Sequence, residues 1–233
     1  NLVAAVSDTF YYYPSIGMPG AANHPDANML EVANITGSQL TGDFNHNFYK
    51  TTTGGWQVSG CEIEIHFWTL VLKWHFHYTP HPVTLPLPFT YGSESTQQYV
   101  INQSAGSYSS GVMYDSSLHV SHVTTHLVAD AWGTVQTPTG SFPALRVLEQ
   151  HSFVDTSFTY VAGQGLVIDS IYAPYTLTNY IWFANGVGEV GSLSMDAKGG
   201  EGFSFFVSST YVGVKEPIND NAVLISPNPT ADK

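Results

Sequence analysis

The chain has 233 residues, 43% hydrophobic and only 10% charged, with a formal net charge of −12. So much apolar and aromatic residue with so little charge excludes a disordered chain. Six Lys+Arg against eighteen Asp+Glu, with no basic run, exclude a nucleic-acid partner and docking on an anionic membrane surface.

Residues 1–40 are weakly patterned and read as loops with one or two strands. Within them "FYYYP" places Tyr11, Tyr12 and Tyr13 together, and further on Trp56 stands in a polar, turn-like setting, "TTTGGWQVSG". Exposed rings of this kind stack on sugar rings, and uncharged Asn, Gln, Thr and Ser beside them supply directional hydrogen bonds. These four aromatics are the candidate ligand-binding residues.

Strand patterns then recur at 61–67, 70–78, 97–102, 107–114, 118–128, 132–137, 142–153, 157–162, 165–173, 177–184, 187–195 and 203–214. Short strands at this spacing predict an all-β chain, a single antiparallel sandwich or curled barrel-like domain with very little helix. "PTGS" at 138–141 and "VAGQGLV" at 161–167 read as hairpin turns. In "CEIEIHF" the odd positions are apolar, whereas from Leu70 the even ones are. Strand period is two, so the phase change demands a bulge or a corner near Trp68–Thr69.

His75 and His77 lie two apart on one strand face, the spacing of an H-x-H metal pair. His81 follows a proline turn as a candidate third ligand, with His66 and Glu64 able to join from a neighbouring strand. Three such ligands and an open position suit a catalytic Zn²⁺, which lowers the pKa of bound water toward about 7. Solvent-facing histidines on a half-apolar strand are the plainer reading. In "LHVSHVTTH", His122 and His126 share a face about 13 Å apart, too far for one ion, and His119 takes the other face. No G-x-S-x-G elbow and no phosphate-cradling glycine loop occur. Cys61 is the only cysteine, so no internal disulfide forms, and it reads as a small buried hydrophobe. No apolar run approaches the roughly 18 residues of a membrane-spanning helix, so no direct membrane insertion is expected. Arg146, the lone arginine, pairs with Asp130 or Glu149 if it is buried.

The chain closes on "VLISPNPTADK" after the polar break "KEPINDNA". An apolar pair, then Ser226-Pro227-Asn228-Pro229 and a small polar run, resembles the start of the C-terminal sorting domain on cargo of the Bacteroidetes type nine secretion system. "LPLPFTYG", "ADAWGTVQTPTGSFPALRV" and "YIWFANGVGEV" resemble, in the same order, phrases of uncharacterised secreted proteins of those bacteria. The resemblance implies export by the type nine machinery to the outer cell surface or medium, and no activity. "DSI" at 169–171 resembles an O-glycosylation pattern of such proteins, with Ser170 as acceptor.

The expectation is one β domain at 1–214, a linker at 215–222, and the truncated opening of a sorting signal at 223–233 carrying Pro227, Asn228 and Pro229. The chain reads as a secreted binding or adhesion module without catalysis of its own, for a glycan or a surface protein. The alternatives are a zinc-type enzyme on the cluster at 75–81 and a structural protein of envelope assembly.

Overall fold

The computed structural model describes residues 10–14, 20–33, 44–67, 69–110, 112–161, 163–195 and 201–205. The expected linker and sorting motif, 215–233, lie outside the described residues. Within them the chain is all-β with one short 3-10 turn, Ala21–Asn23. The strands are β1 Phe10–Pro14, β2 Met29–Ala33, β3 Phe44–Thr52, β4 Gly55–Phe67, β5 Leu70–Thr79 and β6 Val83–Pro86. They continue as β7 Glu94–Ser109, β8 Val112–Thr137, β9 Gly140–Val161, β10 Gly165–Ile171, β11 Tyr175–Ala184, β12 Gly188–Met195 and β13 Glu201–Phe205. Neighbours run β1-β2-β3-β4-β5-β7-β8-β9-β11-β12-β13, with β6 on β4 and β10 on β9. Pairing is antiparallel from β1 through β5 and on to β7, and again for β9–β10, β11–β12 and β12–β13.

Two compact units are formed. The first comprises Asn1–Thr84, Gln98–Val123 and Phe153–Pro174; the second comprises Leu85–Gln97, Thr124–Ser152 and Tyr175–Lys233. Strands β7, β8 and β9 contribute residues to both.

The short strands expected between 97 and 162 are in fact three long ones, of 16, 26 and 22 residues. Polar and glycine interruptions such as Ala105-Gly106 and Asp130-Ala131 looked like strand ends. They do not end a strand whose backbone bonds are supplied by neighbours on both sides, because propensity is weak against pairing. Three segments lie outside the expected strands: β3, the opening of β4 from Gly55, and β6.

The expected bulge or corner gives way to a reversal: Phe67 at the end of β4 pairs with Leu70 at the start of β5. β4 and β5 pair antiparallel, Glu62 opposite His75, Glu64 opposite Lys73, Ile63 opposite Trp74 and Ile65 opposite Leu72. With two residues between the strands, even positions of β4 must face odd positions of β5. The polar and apolar faces therefore stay intact across the turn. Both hairpin turns also form: Pro138–Thr139 separates β8 from β9, and Gly163 and Gly165, at φ 82° and 81°, flank Gln164 between β9 and β10.

The units differ inside. The second holds two apolar clusters, Phe89, Leu127, Ala129, Leu145 and Val147 in one, Ala144, Ala184 and Val190 in the other. In the first, the buried residues include Leu30, Phe48, Cys61 and Val123, but also His24, His46, Ser59, Glu62, Ser121 and Asp155. Buried polar groups persist only when paired. The first unit is where chemistry is concentrated.

Candidate functional site

The segment Gly20–Asn28 is laid over β3 and β4. Gly20 starts it in the left-handed region, φ 83°, which glycine adopts at little cost. The 3-10 turn follows, His24 N–H bonding Ala21 O at 3.1 Å, and Asn28 N–H reaches Tyr49 O at 2.9 Å. Asp26 pins the middle: it accepts Ser59 Oγ at 3.0 Å and pairs with His81 Nδ1 at 3.1 Å and Lys50 Nζ at 3.8 Å. Burial pushes its carboxyl up, but the Ser59 hydrogen bond and the His81 charge hold it below the usual aspartate range.

The segment delivers Asn23 and His24 to Glu62 of β4. Asn23 Nδ2 donates to Glu62 Oε1 at 2.8 Å, and His24 Nε2 lies 3.1 Å from the same oxygen. Glu62 Oε2 is bonded to His75 Nδ1, its cross-strand partner on β5. The His24 ring stacks on Phe48, centroids 4.5 Å apart, and lies against Gly60, where a Cβ would sit 1.9 Å from His24 Cε1. Gly20 is equally constrained, since its Cβ would meet Glu62 Cγ at 2.6 Å. Two glycines thus make room for one imidazole and one carboxylate.

Glu62 is 4% exposed. Burial alone raises a carboxyl's pKa; hydrogen bonds from His24 and Asn23 and the charge of His75 overcome this and hold it below the ordinary glutamate value. A buried, ionised carboxylate therefore bridges two imidazoles. It fixes His75, whose side chain is 42% exposed. His24 Nδ1 is buried without a hydrogen-bond partner among the described residues. Asn23, His24, Glu62, His75, Phe76 and His77 line an open cleft of about 290 Å³.

The expected metal set does not converge. His75 goes to Glu62, His81 to Asp26, and His66 to Glu64 at 2.8 Å, which also holds Lys73 at 2.7 Å. His77 shares the face of His75 but meets only rings, stacked toward His24 at 6.3 Å and edge-on to His81 at 6.2 Å. Among the described residues no three His, Cys, Asp or Glu side chains are arranged to hold a metal ion. Three of the four imidazoles are instead drawn to carboxylates, each on a different one: Glu62, Asp26 and Glu64.

Of the aromatic candidates, Trp56 opens β4 and is 44% exposed, its ring 6.2 Å from Tyr49. Tyr11, Tyr12 and Tyr13 lie in β1, opposite Val32, Glu31 and Leu30. Ser170 is in β10, its hydroxyl 3.2 Å from Asp169 Oδ2. Arg146 makes a two-pronged contact with Asp130, 2.9 Å at each nitrogen, and stacks 5.1 Å over Tyr180. No pattern in the chain points to Asn23 and His24, which sit in an unpatterned loop nearly forty residues from Glu62. The alternation in "CEIEIHF" did put Glu62 on the polar side of its strand, and the alternation from Leu70 put His75 on the polar side of the next. No known protein family, characterised protein or solved structure matches the chain.

Proposed function

We propose that this chain is an exported, surface-acting β module that binds an uncharged polar ligand, a glycan residue, in the cleft over Glu62. One observation carries the reading: the cleft joins a pre-held carboxylate, a neutral amide donor and two accessible imidazoles beside Phe76. Sugar hydroxyls both donate and accept, and this lining offers both roles. At about 290 Å³ the cleft lies at the low end of the about 300–1,000 Å³ of small-molecule sites, which suits a single sugar unit of a longer chain. The acidic balance, −12, supports a neutral or cationic partner over an anionic one. The Ser226–Thr230 motif supports export by the type nine route.

The test is a glycan array followed by calorimetric titration of any hit. The reading expects a saturable site that Glu62→Gln or Asn23→Ala weakens at least about tenfold, a loss of about 1.4 kcal/mol. An array without hits, or a hit indifferent to both substitutions, overturns it. In the latter cases a co-purifying envelope protein points to the assembly role instead.

A further inference from the structure

A second constellation lies in the first unit on other strands, and it has the roles of an acyl-transfer site. Asp155 and Ser157 are two apart on β9, so strand alternation puts them on one face. His119, on the neighbouring strand β8, lies between them: its Nδ1 is 2.8 Å from Ser157 Oγ and its Nε2 3.3 Å from Asp155 Oδ2. The Tyr172 hydroxyl stands 3.4 Å from Ser157 Oγ, and its ring packs edge-on to His119 at 5.7 Å. Tyr172 is held there by its own N–H, which bonds Asp155 O at 3.0 Å. A hydroxyl hydrogen-bonded to an imidazole whose other nitrogen stands 3.3 Å from a buried carboxylate is placed as nucleophile, base and orienting group. No local motif announces it, because the base comes from 36 positions upstream of the acid.

We propose that Ser157 is the nucleophile of a carboxylic-ester hydrolase site, with His119 as general base, Asp155 as its positioning residue and Tyr172 as oxyanion donor. Ser157 Oγ attacks the ester carbonyl and its proton passes to His119 Nδ1. The tetrahedral oxyanion takes a hydrogen bond from the Tyr172 hydroxyl. As the C–O bond breaks, the leaving alcohol takes the proton from His119. Water then attacks the acyl-serine, again giving its proton to His119, and returns Ser157 and the free carboxylic acid. One phenol as oxyanion donor stabilises less than a paired amide hole. Esters, with their better leaving group, are therefore the substrate class and amides are not.

The protein contains a natural contrast. His151 is bonded in the same manner, to Thr125 Oγ1 at 2.8 Å and Glu149 Oε2 at 3.0 Å, with Asn179 also on Glu149. Thr125 is 1% exposed, sealed from any substrate, so that set can only tie strands together. At the first set Ser157 is half-buried, Tyr172 is 47% exposed and the His119 side chain 29% exposed. Asp155 alone is buried, at 5%. Access separates the reactive arrangement from the structural one.

The experiment incubates the purified chain with a fluorophosphonate and, separately, with p-nitrophenyl acetate. The proposal expects one phosphonyl group per chain, on Ser157, and saturable ester hydrolysis. Ser157→Ala and His119→Gln bring both to background. Asp155→Asn lowers kcat by about a hundredfold or more with KM little changed, which a merely structural carboxylate would not do. Ser170→Ala, on the same face, keeps the wild-type rate, and Ser157→Cys recovers acylation through its thiol. A wild-type chain with a β-rich circular dichroism spectrum that takes no label on Ser157 overturns the proposal, as does hydrolysis that survives Ser157→Ala.

Discussion

Gly60 is kept small by the ring that lies on it. An added Cβ would meet His24 Cε1 at 1.9 Å and the Phe76 carbonyl oxygen at 2.4 Å, so neither side-chain rotation nor a small backbone shift relieves both. Gly60→Ala should expel His24, strip Glu62 Oε1 of one partner and lower stability by about 1–3 kcal/mol, read from urea unfolding. An unchanged midpoint would mean that His24 does not occupy this place. Its neighbour Cys61 is 8% exposed, with its Sγ 3.3 Å from Asn45 Oδ1. Burial first, then the charges of Glu62 and Glu31, push its thiol up to about 12. The thiolate is the reactive form. Cys61 should therefore resist iodoacetamide at pH 8 in the native chain and react once the chain is unfolded; rapid native labelling would contradict the packing around β4.

At the scale of elements, β8, β9 and β11 are tied by Arg146, which forks onto Asp130 and covers Tyr180. Its guanidinium is held further above its ordinary value, first by the Asp130 hydrogen bond. Lysine carries the charge but neither the fork nor the flat face. Arg146→Lys should cost about 1 kcal/mol by chemical denaturation; no loss would show the contact to be ornamental. That Arg146, amid Leu145, Val147 and Leu148, pairs with a near acid if buried was legible in the sequence; that the acid is Asp130 and not Glu149 was not. Also legible was the polar side of each strand, Glu62 and Glu64 on one and Lys73 and His75 on the other, since strand period is two; the reversal that pairs them was not. The continuity of β7, β8 and β9 was not legible, because pairing partners, not side chains, carry a strand through Ala105-Gly106. Nor was the meeting of His24 with Glu62, or of His119 with Asp155 and Ser157: these depend on which strands are neighbours, and no local pattern encodes that. The H-x-H spacing of His75 and His77 predicted a common face and obtained one, but carboxylates on adjacent elements took the imidazole that a metal would have needed.

Across the whole molecule, imidazoles do much of what lysines and arginines do elsewhere. Among the described residues seven histidines, at 24, 66, 75, 81, 119, 126 and 151, stand within pairing distance of a carboxylate, in a chain with six Lys+Arg. Glu62 and Glu149 are both held below the ordinary glutamate value: burial raises each, and hydrogen bonds from their histidine partners outweigh it. A carboxylate whose pKa is lower folded than unfolded contributes stability above its unfolded pKa, about 4.3 for glutamate, and loses it as pH falls through the folded value. The urea midpoint should therefore fall as pH drops from about 5 to 3, and fall less in Glu62→Gln and Glu149→Gln; a flat or rising midpoint would contradict the pairing. The central claim is that Glu62, gripped by His24 and His75, forms the floor of a ligand cleft. It is tested most directly by ¹⁵N NMR of the histidine rings, with and without a glycan taken from the array. The account predicts that Glu62→Gln shifts His24 Nε2 and His75 Nδ1, and that the glycan moves the His75 and His77 rings while leaving His151 in place. Histidine signals indifferent to both changes, or a glycan that perturbs other rings alone, would contradict it.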